Sequence, residues 1–446
     1  MPLGGGFFTA QDKILPGAYI NFVSVQSATS MLAPRGTVAL PLSLNWGPVG
    51  EVITVEASGY NRRAESLLGY APHAPELLPV REALRHSSKL YLFRLGQDGV
   101  KASNDLAEAK YPGTLGNSLV VKVEVNTPAP EPDPPGEGGE GGTWDVTTLL
   151  NGQAVDVQRN VGSVGALKPN AWLTWKSGAT LTETAGMPLA GGTNGEPTAE
   201  EYQSFLDAME RYTFHAMGCT STDAEIVEKF VSYTKRQRDE VGKKFQTVVF
   251  RTLADYEGIV SLKNGLASDP SSPALIPWAA GVLAGTAVES SASNLTYDGE
   301  LAPDVNYTQA QLEEAMLEGS WVMHQMDDTV AVLADLNTFT TFTEEKSKDF
   351  AQNQVIRVLD QIANDVAYIF GHHYYGKVPN DEAGRASLWN DIVKHHLELQ
   401  TLRAIEGFES EEVKVEAGED PRAVVVQDRV KPVNALHYLY MTVLVG

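Results

Sequence analysis

The chain closes on ALHYLYMTVLVG (435–446), and from Tyr438 to Val445 its side chains are almost all aromatic, β-branched or long and apolar. A run of that kind reads as a strand buried on both faces, because period-two patterning is lost only when neither face meets water. No partner strand comes after it, and chain ends ordinarily fray. Whatever covers this run decides what kind of protein this is.

Length and composition narrow the choices. At 446 residues, 43% hydrophobic and 20% charged, the chain is long enough for several globular domains. With Lys+Arg 34 against Asp+Glu 57 the formal net charge is −23. A chain this acidic repels phosphate backbones and anionic lipid, so nucleic acid and membranes are not expected partners and other proteins are. The single cysteine, Cys219, cannot form an intrachain disulfide and reads as a small core residue following a helix that ends in HAMG. The start, MPLGGGFFTAQDK, has no basic region followed by an apolar one, and no apolar run reaches the length of a membrane span. Synthesis and assembly in the cytoplasm are expected.

Residues 1–26 read as an N-terminal arm, Gly-rich and then carrying the strand-like LPGAYINFVSVQ after the Pro16-Gly17 turn signal. From 27 to 101, strands TVALPLSLNWGP, GEVITVEA and KLYLFRLG flank a helical stretch around PVREALRHS, the pattern of an α/β layer. Between 102 and 185 only short β-rich runs occur, NSLVVKVEV, WDVTTLLNG, QAVDVQ and AWLTWK, which predict a small inserted β-sandwich. Its Pro-, Gly- and Glu-rich stretch 128–143 lacks the Lys-Ser/Thr of a phosphate loop and reads as a solvated loop.

From 186 to 342 the α/β layer resumes. Thr198…Glu201, Thr222…Glu225 and Thr308…Gln311 predict three capped helix starts. The first two helices bury Tyr202, Phe205, Leu206 and Met209, and Ile226, Val227, Phe230 and Val231. Strands FQTVVFRT and GIVSLK and a hairpin turning at Asp327-Asp328 complete a three-layer α/β sandwich. Residues 343–446 read as a C-terminal α+β domain: helices over 349–370 and 386–405, strands VKVEAG and RAVVVQDRV, and the terminal strand 436–446.

Catalytic signals are sparse. His372-His373 and His395-His396 are the tempting metal ligands, but adjacent helical residues point about 100° apart, and the expected reading is exposed or helix-C-terminal histidines. Carboxylates are abundant but unarranged: Glu344-Glu345 reads as the acidic first turn of a helix and Glu409 to Glu412 as a linker. No GxSxG, HExxH or CxxC occurs. An α/β hydrolase using scattered carboxylates and another self-assembling virion protein stand as alternative readings; no cofactor or metal is expected.

Several stretches in order give the chain a family likeness: LPGAYINF, RGTVALPLSLNWGPVGEV, AKYPGTLGNSLVVKV, PLAGGTNG, LIPWAAGVLAGT, RVLDQIANDVAYIFGHHYYGKVPND and VVVQDRVKPVNALHYLYMTVLV. Together they resemble the tail sheath proteins of contractile-tailed phages and phage-like bacteriocins, particularly those of Gram-positive hosts. The resemblance implies a non-enzymatic subunit of stacked rings in a virion tail, polymerising around an inner tube from a baseplate, with tail terminator proteins as further partners. It also implies exchanged strands. Tyr19, Ile20, Phe22 and Val23 at one end, and Tyr438, Leu439, Tyr440, Met441, Val443, Leu444 and Val445 at the other, would pair with neighbouring copies. Val413, Val415, Val424, Val425 and Val426 would lie on the accepting strands, and SVQSATS and RVKPVNA would be the hinges.

Overall fold

The computed structural model describes residues 31–126 and 143–445. Strands β1 (Thr37–Ser43) and β2 (Val52–Glu56), helices α1 (Tyr60–Leu68) and α2 (Leu78–Leu84), and β3 (Lys89–Leu95) come first. A stretch of strands is next: β4 (Ala107–Ala109), β5 (Leu119–Asn126), β6 (Thr143–Leu150), β7 (Gln153–Val161), β8 (Leu173–Trp175) and β9 (Thr184–Pro188). Helices and strands then alternate through α3 (Ala199–Met209), β10 (Ala216–Gly218), α4 (Ala224–Arg236), β11 (Gln246–Phe250), β12 (Ile259–Leu262), α5 (Ile276–Gly285) and α6 (Gln309–Leu317). After β13 (Ser320–Trp321) and the hairpin β14 (Met323–Met326) and β15 (Thr329–Val332) come α7 (Asn353–Ile369), α8 (Glu382–Thr401), β16 (Lys414–Ala417) and β17 (Val424–Gln427).

The centre is a seven-stranded sheet in the order β13-β12-β11-β10-β1-β3-β2, parallel throughout except for β2 at one edge. Helices cover both faces, so its inner strands are apolar in a row rather than alternating. In β1, Val38, Leu40 and Leu42 pack with α1, α2 and α5, while Ala39 points to the opposite face and packs with Phe205 of α3 and Phe230 of α4. Helix α5, IPWAAGVLAG, is buried all round. It lies close on α2: a Cβ at Gly281 would stand 2.5 Å from the Ala83 carbonyl oxygen, so only glycine permits the contact.

The β-rich stretch forms a four-stranded antiparallel sheet, β7-β6-β5-β9, and the pair β4-β8. They share a core in which Trp46, reaching in from the central layer, meets Trp172 at 5.6 Å between rings. The chain departs and returns side by side. A Cβ at Gly195 would lie 2.5 Å from the Gly96 carbonyl carbon, and Gly96 itself has φ +93°, so both positions require glycine.

Several local expectations change. The capping boxes at Thr198 and Thr308 are present. That at Thr222 is not: Asp223 caps α4, its Oδ1 accepting from Glu225 N at 2.9 Å and Ile226 N at 3.2 Å, since a carboxylate one residue on is a charged acceptor for the positive end of the helix. The AMG of HAMG is strand β10, drawn into the sheet between β1 and β11, rather than a helix end. Glu344-Glu345 lies in a bend before the 3-10 turn Lys348–Ala351, so α7 starts only at Asn353. Helix α8 starts earlier than its apolar pattern suggests, because Asp381 caps Gly384 N at 2.8 Å.

Candidate functional site

Helices α7 and α8 build the C-terminal core with Val358, Leu388, Ile392, Leu399, Phe408 and Val413. The indole of Trp389 on α8 donates to the Val413 carbonyl at 3.0 Å and fixes the start of the β16–β17 hairpin. Those two strands pair only with each other, Lys414 opposite Gln427 through Ala417 opposite Val424. Each therefore keeps an outer edge with no strand on it among the described residues. Val413 is buried, Val415 and Val424 are half-buried, and Val425 and Val426 are exposed.

Beyond the hairpin the chain stays attached for a few residues. Glu406 N donates to Lys431 O, Val433 N to Ala404 O, and Ala435 N to Gln354 Oε1, each at 2.9 Å. The expected hinge RVKPVNA is thus pinned over 431–435, and the free segment starts at Leu436, which is 100% exposed. From there Tyr438, Leu439, Tyr440, Met441, Val443, Leu444 and Val445 are 68 to 93% exposed and form no strand within the subunit. Their described contacts are local, such as the stacking of Tyr438 and Tyr440 at 6.4 Å. Tyr19, Ile20, Phe22 and Val23, the hinge SVQSATS and all but Thr143 of the acidic loop 128–143 lie outside the described residues. At its first described residue the chain is held on α8, Met31 N donating to the Glu398 carboxylate at 3.0 and 3.1 Å.

Beside the root of the free segment lies a groove of about 680 Å³, lined by Leu317, Phe339, Phe342, Ala435, Leu436 and Tyr438 among others. Leu317 at the end of α6 is 82% exposed. Sequence reasoning missed it; the available signal was the apolar pair Met316-Leu317 closing α6.

The histidine doublets separate. His372 and His373 are exposed in the π-helical turn Phe370–Tyr374, with the His372 ring stacked 3.9 Å from Tyr368. His395 and His396 are instead fully buried within α8, against the expectation of exposed or helix-terminal residues. Their carboxylate partners, Asp365 and Asp428, are too far away in sequence to have been read beside them. Among the described residues no group of three His, Cys, Asp or Glu could hold a metal ion, and no helix is long and apolar enough to cross a membrane. Cys219 is a buried core residue whose thiol burial pushes up to about 12. Of the buried carboxylates, Asp335 is engaged by Arg357, Asp360 by Arg238, Glu82 by Tyr297 and Glu300 N, and Glu257 by Lys346 through one oxygen, its other oxygen having no partner among the described residues.

The chain finds counterparts in known proteins over most of its length. Residues 345–446 match the model of the phage tail sheath C-terminal domain, 195–338 that of the phage tail sheath protein central domain, and 35–95 that of the tail sheath protein Gp18 domain III N-terminal region. The crystal structure of a sheath tail protein from Desulfitobacterium hafniense is 34% identical, with a TM-score of 0.80 over 94% of this chain and 98% of that one. The chain belongs to the phage tail sheath family. A curated relative, the phage-like element PBSX protein XkdK of Bacillus subtilis, is 29% identical to this sheath protein over 99% of both chains. The helical sheath of the anti-feeding prophage, solved in its contracted state, shares the fold at 11% identity and a TM-score of 0.54, over 96% of this chain and 98% of that one. The protein is a structural subunit of a phage tail sheath. Membership of a structural family, rather than any missing motif, is the ground for a non-enzymatic role.

Proposed function

We infer that the subunit assembles by strand exchange: the segment 436–446 adds to the hairpin β16–β17 of one neighbouring copy, and the N-terminal arm, through Tyr19, Ile20, Phe22 and Val23, to that of another. The carrying observations are the apolar run at 438–445, solvent-exposed in the single subunit, and the two-stranded hairpin β16–β17, whose outer edges carry no strand among the described residues. Hydrogen bonds alone do not drive such addition. Each contributes about 0.5–1.5 kcal/mol net, while ordering a backbone residue costs about 1–2 kcal/mol. Affinity must come from burying Tyr438, Leu439, Tyr440, Met441, Val443, Leu444 and Val445, at about 25 cal/mol per Å² of apolar area.

In this reading the central sheet is the middle of a three-layer sandwich carrying the outward-facing insertion 102–185, and the C-terminal domain faces an inner tube. Rings stacked from a baseplate and closed by a terminator form the virion tail sheath, assembled in the host cytoplasm. The engaged state of the buried carboxylates favours this over the hydrolase alternative. Negative-stain microscopy of the concentrated protein with its tube protein tests the reading. Hollow striated cylinders are expected; a monodisperse monomer under every condition would overturn it.

A further inference from the structure

Strands β11 and β12 run side by side and parallel, and each is followed at once by a cation, Arg251 after Phe250 and Lys263 after Leu262. Open parallel sheets present their ligand sites outside such carboxyl ends. On the other side of β12, β13 places Ser320 opposite Ser261, so the two hydroxyls lie on one face of the sheet, on strands about 4.8 Å apart. That face is not the one on which Val260 and Leu262 meet α5. A cavity of about 330 Å³ opens over the pair, lined by Arg251, Ser261, Lys263, Tyr307, Glu318 and Ser320 among others.

The lining is rich in donors and poor in acceptors. Ser261 is 1% exposed, and its Oγ makes no hydrogen bond with any described residue. A buried hydroxyl left unpaired is costly, so its position calls for a partner. Arg251 has φ +47°, a left-handed conformation that a branched or long side chain rarely adopts. The turn it makes is held by Arg251 N donating to Leu262 O at 3.0 Å and Nε to Lys263 O at 2.9 Å. No carboxylate pairs with this guanidinium among the described residues. Lys263 Nζ stands 3.4 Å from Glu318 Oε2, a loose contact between two partly exposed side chains. The Tyr307 hydroxyl lies 3.5 Å from Lys263 O, and burial, against the opposing pull of Arg251, raises its pKa, so the phenol stays a donor at neutral pH.

We propose that this cavity is an oxyanion site, in which a carboxylate or phosphate group lies between Arg251 and Lys263 and turns one oxygen to the Ser261 hydroxyl. The planar fork of Arg251 suits two oxygens of such a group, and Lys263 adds a point charge beside it. A metal cation would find Glu318 as the one carboxylate in the lining and two positive charges against it. A neutral ligand would leave the guanidinium without a counter-charge. Two sources share the required chemistry: free phosphate, and an acidic side chain of a second copy, plentiful in a chain with Asp+Glu 57 against Lys+Arg 34. The site belongs to the central layer and involves neither chain end, so it stands or falls independently of strand exchange.

Isothermal titration of the full-length monomer with inorganic phosphate, at an ionic strength held constant with chloride, tests the site. Saturable binding with a Kd on the order of 1–10 mM is expected. Arg251→Gln should weaken it about tenfold, because the fork of charged donors is lost. Glu318→Gln should tighten it about threefold, since the competing carboxylate is removed and Lys263 is released. That opposite sign is not what a merely structural role would give. In 15N-arginine spectra of the unsubstituted monomer, phosphate should shift one Nε signal, a reading that stands even if a variant fails to fold. Assembly on the tube then separates the sources: phosphate slows it relative to chloride where the natural occupant is a carboxylate of a second copy, and leaves it unchanged or faster where the occupant is a free anion. Absence of saturable phosphate binding, no shifted arginine signal, or binding indifferent to Arg251→Gln would overturn the oxyanion site.

Discussion

Arg238 and Asp360 meet in a two-pronged ion pair, Nη1 to Oδ2 at 2.6 Å and Nη2 to Oδ1 at 2.8 Å, with both side chains buried. Arg238 lies in the π-helical turn Gln237–Val241 after α4, and Asp360 on α7, so the pair fastens the central layer to the C-terminal domain. Around it Gln246 Nε2 donates to Asn353 Oδ1 at 2.7 Å and Asn353 Nδ2 to Asp335 Oδ1 at 2.9 Å. The two parts are therefore expected to move as one body.

Asp360→Ala leaves the Arg238 guanidinium buried without its counter-charge. The expected loss is about 3–5 kcal/mol, whereas the double replacement Arg238→Met with Asp360→Leu regains most of it. Urea unfolding of the three proteins checks this, and a single variant as stable as the parent would show the pair contributes nothing.

A second prediction concerns acid. Burial, reinforced by the Arg35 guanidinium, lowers His215 from 6.5 to about 3, and its Nδ1 accepts from Thr37 N at 3.2 Å at the start of β1. The folded state holds the ring neutral while the unfolded chain takes up a proton. The contribution is thus complete above the ordinary histidine value and is lost as pH falls from there towards 3. The ring retains some solvent exposure, so the slope stays below the limit of about 1.4 kcal/mol per pH unit. His215→Gln should flatten the stability profile between pH 7 and about 4; an unchanged profile would remove His215 from the account.

Much of this was legible from side-chain period alone. The buried faces of α3 and α4, the short strands of the insertion and the Asp327-Asp328 turn are local signals, and each was read from a few consecutive residues. The features that were not legible depend on distant partners. AMG looks helical until Val38 and Gln246 flank it in the sheet, and His395-His396 look solvent-facing until α7 brings Asp365 to them. The terminal run is a different case: its apolar pattern signals burial, and in the single subunit its side chains stand in solvent.

Truncation after Leu436 should leave the subunit folded and unable to polymerise. Ala435 is hydrogen-bonded to the body through Gln354, and the ring contacts beyond it, Tyr438 with His437 and with Tyr440, are local to the segment. The thermal midpoint should stay within about 2 °C of the full chain, while sedimentation shows monomer under conditions where the full chain assembles. A collapsed melting transition would mean that the run belongs to its own subunit's core.

The energy for contraction should reside in the assembled lattice. The sequence has no Gly-rich loop ending in Lys-Ser/Thr, and of the two histidine doublets one is solvent-exposed and the other engaged by Asp365 and Asp428. On the strand-exchange proposal, a body locked by the Arg238–Asp360 seam and joined to its neighbours through its end segments rotates and re-packs without breaking those links, because the segments bend at their roots while the domains move rigidly. The root at one end is sharply defined: bonds fix the chain up to Ala435, and Leu436 is wholly exposed. Sheaths reconstituted on tube and baseplate and triggered by urea or a heat step should therefore contract fully in EDTA without nucleotide. A requirement for ATP or for a divalent ion would overturn lattice storage and direct attention to the exposed pair His372 and His373 as a working site.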